Sequence, residues 1–398
     1  MRIILLVVYY LPSTTSSAKL ISDLASELQR LGHDVLVIAP DENILTDVET
    51  AIENGIQVLR VRTGRIKTAS KWVRGFNEAR LSSLIWDRGR QFFKDNPCDL
   101  IIYYSPTIFF GSLVKRLKKQ FGCPSYLILR DLFPQWALDA GILRKGLVYH
   151  YLKWKERQNH EAADIIGVQS PANLLYFRKN GLDKKYRLEV LYNWTALEEK
   201  RIQPGAHRKR LGLQGKVVFF YGGNIGIAQD MDNIVRLAVN LQNEPDAYFL
   251  LVGEGSEVPR LGAEIASKGL MNIAIHPGVG QREYLSMLSE FDVGLISLDY
   301  GLKTQNFPGK MLGYMYYSMP MLVSINPGND LKVILEEHEA GFVCINKDDE
   351  TFAAFARRLL SDEALRLRMG RNARALLEST FSVSGAARQI LAHFNREN

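Results

Sequence analysis

A chain of 398 residues with 46% apolar side chains is long enough for two cores of ordinary size, and its composition is not that of a disordered chain. The net charge of +7 is unevenly placed: residues 1–200 carry 29 Lys and Arg against 21 Asp and Glu, so the positive excess lies in the first half. Cys98, Cys123 and Cys344 have no metal-like spacing and leave no complete disulfide framework, which fits a reducing cytoplasm.

The apolar run Ile3–Leu11 is too short to cross a bilayer as a helix. With Arg2 before it and Ser13–Ser17 after, it has the outline of a short signal peptide. A buried first strand is the better reading. An amphipathic helical pattern (Leu20, Ile21, Leu24, Leu28, Leu31) follows, closed by Gly32, and then a second apolar run at Val35–Ala39, which makes a βαβ opening. The turn between first strand and helix, Leu11–Ser16, contains no glycine, so a dinucleotide fingerprint is absent. Thr15 and Ser16 there either bond a ligand's sugar or phosphate or simply cap the first helix.

From Arg60 to Lys94 ten basic and two acidic residues interleave with Trp72, Phe76, Trp86, Phe92 and Phe93. Such a mixture suits the boundary between anionic lipid headgroups and acyl chains, with Lys71, Trp72, Arg74 and Phe76 as the candidate membrane- or acceptor-facing residues. A solvated helix with its apolar face in the core is the alternative. No nucleic-acid reading module accompanies the charge.

Further strand-like runs come at Leu100–Tyr104, Tyr126–Leu129 and Ile165–Val168, then at Val217–Tyr221, Tyr248–Val252, Ile273–His276, Val293–Ser297 and Met321–Ser324. Their alternation with helical patterns predicts parallel sheets flanked by helices. The series restarts after residue 200, with the polar stretch Gln203–Arg208 as the junction. Two Rossmann-like α/β domains with a cleft between them are expected, covering 1–200 and 201–378, with 379–398 crossing back to the first. Ligands in such sheets sit outside the carboxyl ends of the strands.

Tyr221-Gly222-Gly223-Asn224-Ile225-Gly226-Ile227-Ala228-Gln229-Asp230 reads as a strand end, a glycine turn and a helix start. Glycines admit close backbone approach, and free helix-start amides face an anion in the turn, so the segment is a candidate phosphate cradle. The helix-end field favours an anion by only ~0.3–1 kcal/mol, so direct hydrogen bonds must do most of the binding. Asp230-Met231-Asp232 has the spacing of a carboxylate metal motif. Directly after a glycine turn it reads instead as capping and first-turn charge. The histidines form no metal set, and metal-independent chemistry is expected.

The order of motifs in the second half resembles the retaining glycosyltransferases of the GT-B fold, family 4. Those motifs are the cradle, Phe249-Leu250-Leu251-Val252-Gly253-Glu254-Gly255, His276-Pro277-Gly278-Val279, Phe291-Asp292-Val293-Gly294-Leu295 and Phe307-Pro308-Gly309-Lys310-Met311-Leu312-Gly313. Arg130-Asp131-Leu132-Phe133-Pro134 and Leu191-Tyr192-Asn193-Trp194 fit the same family in the first half. Together with the cradle, Arg-Asp-Leu-Phe-Pro looks like the branch that builds bacterial O-antigen, capsule and exopolysaccharide units, which includes N-acetyl-L-fucosaminyltransferases.

The resemblance implies a UDP-sugar donor, an undecaprenyl-diphosphate-linked sugar as acceptor, no cofactor, and a site at the inner face of the plasma membrane. Carried over residue by residue, Gly222, Gly223, Asn224 and Gly226 would place amides on the donor diphosphate, with Gln229 beside it. Gly278 and Val279 would meet the base; Gln305, Asn306 and Phe307 would meet the donor sugar. Lys310 and Arg130 would offset charge on the departing diphosphate from the two domains, and Asp131 would orient the acceptor hydroxyl. Gln305 and Gly313 stand where the family often has two glutamates, which puts donor affinity or identity in question. A non-catalytic subunit of a polysaccharide assembly complex, or a UDP-sugar 2-epimerase, is the alternative expectation.

Overall fold

The computed structural model describes residues 1–13, 15–64, 71–139, 141–197, 202, 204–303 and 307–394, apart from the side chains of 71–74 and 76. The chain divides into two compact units, Met1–Ala196 with the stretch from Val383 onward, and Leu197–Ser382. Both are α/β units with largely parallel sheets, as the alternating pattern predicts.

The first unit contains β1 (Arg2–Leu6), β2 (Asp34–Asp41), β3 (Val48–Glu53), β4 (Ile56–Arg62), β5 (Leu100–Tyr104), β6 (Ser125–Leu129), β7 (Ile165–Val168) and β8 (Leu188–Val190). Their order in the sheet is β3-β4-β2-β1-β5-β6-β7-β8, and only the β3–β4 pair is antiparallel. That hairpin is absent from the sequence reading. Its signal was present: Glu53 pairs with Ile56 across Asn54-Gly55, both at positive φ (50° and 79°), the backbone that a tight hairpin turn requires.

Continuous apolar strands need cover on both faces. Leu5, Val37 and Ile102 pack under the helices Ser16–Arg30 and Val383–Ala392, while Leu6, Ile38 and Ile101 pack with Leu81, Ile85, Phe93 and Leu113 on the other side. The helix Lys71–Asp95 therefore turns aromatic residues inward: Phe93 is fully buried and Trp86 and Phe92 pack against the same core. This corrects the interfacial reading for that half of the basic-aromatic stretch. Lys71, Trp72, Arg74 and Phe76 lie outside the described side chains.

The second unit contains β9 (Val217–Gly222), β10 (Ala247–Val252), β11 (Ile273–His276), β12 (Val293–Ser297), β13 (Met321–Ile325) and β14 (Gly341–Ile345), all parallel in the order β11-β10-β9-β12-β13-β14. In this sheet the sequence reading lacked β14, a short run that opens on a glycine. No helix among the described residues is long and apolar enough to cross a membrane.

One buried group gives the first unit a defined acid sensitivity. His160 is enclosed by Phe177 and Tyr186, each ring 5.6 Å away, and burial pushes its imidazole down to about 3. It is neutral in the fold, while the unfolded chain takes up its proton near pH 6.5. Its contribution is therefore complete above pH 6.5 and is lost as pH falls toward 3, by roughly 4–5 kcal/mol at most. His160→Phe should flatten that part of the stability profile in chemical denaturation. An unchanged acid limb in the variant would remove His160 as its cause.

Candidate functional site

The second sheet begins with β9, runs outward through β10 and β11, and then reverses to β12 on the other side of β9. At such a switch point the loops after adjacent strands part and leave a crevice. A pocket lies there, lined by Tyr221, Asn224, Gln229, Leu298, Leu302, Phe307, Pro308, Gly309 and Lys310.

The cradle's shape comes from tight neighbours. Gly223 has φ +128°, and a Cβ on Gly253 would lie 1.8 Å from the Gly223 carbonyl oxygen, so the loop after β10 lies directly against the turn. Gly255 has φ +158°, and its missing Cβ would lie 2.1 Å from the Ile225 carbonyl oxygen. Backbone bonds lock the two loops together: Gly223 donates to Val252 (2.9 Å) and Ile225 to Glu254 (2.8 Å).

Those bonds change which groups face the pocket. The Gly222 amide donates to the Tyr314 hydroxyl (3.2 Å), the Gly223 amide is used by Val252, and the Gly226 amide donates to Gln229 Oε1 (3.2 Å). Three of the four amides carried over from the family thus already have partners inside the protein. The Asn224 amide makes no hydrogen bond among the described residues. Gln229 also accepts from Asn224 Nδ2 at 2.8 Å, so its side chain braces the turn.

Lys310 supplies the charge. It opens the helix Lys310–Tyr316, and its Nζ sits 3.3 Å from the centre of the Tyr221 ring, a cation on an aromatic face. A Cβ on Gly223 would lie 3.6 Å from the same nitrogen, so the ammonium adjoins the cradle backbone. No carboxylate pairs with it among the described residues, and burial pushes its pKa well below the usual lysine range. A buried lysine with no carboxylate partner among the described residues, beside a glycine turn, is a candidate anion-binding group. Tyr221, its platform, was not a sequence candidate, although its place at the end of β9 before the glycines was a usable signal.

The other candidates fall into distinct places. Gly278 and Val279 follow β11, two strands from β9, and do not line this pocket; Gly278 lies against Glu254, whose Oε1 would be 3.2 Å from an added Cβ. Phe307 is buried, its ring 6.4 Å from that of Phe381. Gln305 and Asn306 lie outside the described residues. Asp230 takes a left-handed conformation (φ 41°) and accepts from Asn346 at 2.8 Å, while Asp232 pairs with Arg260 at 2.7 Å. Each carboxylate of that motif thus has a partner within the protein.

In the first unit a pocket occupies the equivalent switch point between β1 and β5, lined among others by Tyr9, Glu78, Thr107, Asp131, Phe133 and Trp136. Asp131 is thus on a pocket wall. Arg130 turns the other way: it is buried, donates to the carbonyls of Leu191 (2.6 Å) and Tyr192 (3.4 Å), and stacks 5.3 Å from the centre of Trp194. Its guanidinium holds the chain where it leaves β8. Thr15 is the N-cap of the helix Ser16–Arg30, its hydroxyl accepting from the Ala18 amide at 3.4 Å, and Ser16 is exposed in the first turn.

Residues 205–376 match the family model of group 1 glycosyl transferases, and residues 17–194 match that of a glycosyl transferase 4-like domain. Each of the chain's two units thus matches a glycosyl transferase family model. Among similar proteins, a probable glycosyltransferase of Pseudomonas aeruginosa, WbjE, is 25% identical over 67% of this chain and 66% of its own. The putative colanic acid biosynthesis glycosyl transferase WcaI of Escherichia coli is 23% identical over 66% of each chain. The match spans just under two thirds of these relatives' length. Sucrose-phosphate synthase of Thermosynechococcus elongatus superposes with a TM-score of 0.72 at 16% identity, over 99% of this chain and 98% of that one. Anabaena HepE, solved with UDP, gives 0.68 at 15% identity over 99% of both. At these identities the likeness is one of fold, and the fold is GT-B.

Proposed function

We propose that the protein transfers a sugar, with retention, from a UDP-sugar to an undecaprenyl-diphosphate-linked sugar during assembly of an O-antigen or capsule repeat unit. N-acetyl-L-fucosamine or another amino-deoxysugar is the proposed donor sugar, and the cytoplasmic face of a bacterial plasma membrane is the proposed place. The observation that carries the reading is Lys310, with no carboxylate partner among the described residues, on the face of Tyr221 beside the glycine turn. A relative named for colanic acid biosynthesis and a neighbour solved with UDP support it.

In the proposed reaction the bond between the donor's anomeric carbon and the diphosphate oxygen breaks while the acceptor oxygen bonds to that carbon on the same face. The acceptor's proton passes to the departing diphosphate, so no protein nucleophile is needed. The protein then supplies position and positive potential. Lys310 and the Asn224 amide meet the developing charge, and Asp131, on its pocket wall, orients the acceptor hydroxyl.

A mass-spectrometric transfer assay tests this, with a synthetic lipid-diphosphate N-acetylglucosamine and a panel of UDP-sugars that includes UDP-N-acetyl-L-fucosamine, with and without EDTA. An added amino-deoxysugar mass that survives EDTA is the expected result. No UDP binding and no product would favour a non-catalytic subunit, the reading motivated by Gly313, which lacks a side chain where the family often has a carboxylate.

A further inference from the structure

The helix Leu147–His160 is amphipathic in the inverted sense. Its inward face is polar: Glu156, Asn159 and His160 are buried, Glu156 paired with Lys153, and the Asn159 carbonyl accepts from Tyr103 at 2.6 Å. This side packs on the helix Gly111–Phe121, so closely that a Cβ on Gly111 would lie 2.6 Å from the Gln158 carbonyl oxygen. The outward face is apolar. Leu147 is 91% exposed, Val148 52%, Tyr151 41% and Trp154 50%, and Ile142, just before the helix, is 63%.

Positions 147, 148, 151 and 154 fall on one stripe of a helix with 3.6 residues per turn. Scattered exposed apolar residues are ordinary, but a contiguous stripe with polar groups buried behind it is not. The charge around it has one sign. From Ile142 to Lys155 there are four basic residues and no acidic one; Lys153 is paired with the buried Glu156, which leaves Arg144, Lys145 and Lys155. Arg144 and Lys145 are exposed, and Lys155 Nζ lies 4.6 Å from the centre of Trp154. Aliphatic and Trp/Tyr side chains rimmed by Lys and Arg match a bilayer surface: the apolar atoms enter below the headgroups, the rings sit at headgroup level and the cations meet anionic phosphates.

We infer that this face docks the first unit on an anionic lipid bilayer. The assignment places a contact at Ile142–Lys155, apart from the sequence candidates Lys71, Trp72, Arg74 and Phe76, whose side chains lie outside the described ones. It rests on the lipid-linked-acceptor reading only for its biological sense, since vesicle binding is measured without donor or acceptor sugar.

The test uses the full chain and vesicles of phosphatidylcholine with and without phosphatidylglycerol, read by co-sedimentation and by quenching of tryptophan fluorescence with brominated lipid. The chain should bind the phosphatidylglycerol vesicles and be quenched. A combined Leu147→Ser, Val148→Ser and Trp154→Ser variant should bind at least about tenfold more weakly, with UDP binding and helix content unchanged. Arg144→Glu with Lys145→Glu should remove most of the preference for the anionic vesicles. Equal binding by wild type and the serine variant would overturn the assignment. So would a wild-type dimer in solution that the serine variant dissociates, since the face would then belong to a second copy of the chain.

Discussion

Lys310→Ala is expected to lower sugar transfer by roughly 10²–10³-fold, about 3–4 kcal/mol of transition-state stabilisation, while leaving the thermal midpoint unchanged or raised. The size follows from where the ammonium sits. It stands over Tyr221 beside the cradle, desolvated and without a carboxylate among the described residues, so its field acts in a low-dielectric pocket. The midpoint should hold because burying an unpaired cation costs the fold free energy that alanine does not.

On the proposed function, the same nitrogen is expected to make donor binding depend on pH. Free Lys310 has a depressed pKa because burial opposes its charge; an arriving diphosphate favours the charge and raises it. Between those two values binding must take up a proton, so UDP affinity falls as pH rises through that window. Calorimetry in buffers of different ionisation enthalpy would show the uptake in the wild type and none in the alanine variant. Equal turnover in both proteins would take Lys310 out of the reaction.

Gly253→Ala is expected to have the other large effect, through backbone rather than charge. The added methyl would lie 1.8 Å from the Gly223 carbonyl oxygen, and neither atom belongs to a side chain that could rotate away. Either the loop after β10 or the glycine turn must move, breaking the Gly223–Val252 bond of 2.9 Å and displacing the cradle. A loss of about 1–3 kcal/mol or more is expected, with UDP binding abolished even where the protein stays folded. Gly262→Ala is the matching control: it lies within the helix Val258–Ser267 with nothing within 4 Å of its added methyl, and should stabilise by up to about 1 kcal/mol. A Gly253→Ala protein with wild-type UDP affinity would mean that the two loops do not depend on each other.

What was legible in the sequence was what short-range patterns encode. Runs such as Leu100–Tyr104 and Tyr248–Val252 are buried strands because five consecutive apolar residues are best covered on both faces inside a helix-flanked parallel sheet. The helix Ser16–Arg30 follows from its spacing of Ile21, Leu24 and Leu28, and the glycine turn after β9 from residues that tolerate close approach. Asn54-Gly55 is an equally local signal, set between the polar-rich run Val48–Glu53 and the apolar run Ile56–Arg62.

Only tertiary structure decided which side of each element faces inward and which polar groups remain free. Periodicity marks an apolar stripe without saying what covers it. Phe93 in Lys71–Asp95 turned to the core, while Leu147, Tyr151 and Trp154 turned to solvent because Glu156, Asn159 and His160 found their places on the buried side. Nor does a glycine motif tell which amides are left for a ligand. Val252 and Tyr314, distant in sequence, take those of Gly223 and Gly222, whereas Lys310, 89 positions from Tyr221, comes to rest on its ring. Hydrogen bonds and desolvation are settled by neighbours in space, and those neighbours exist only once the sheet has been assembled.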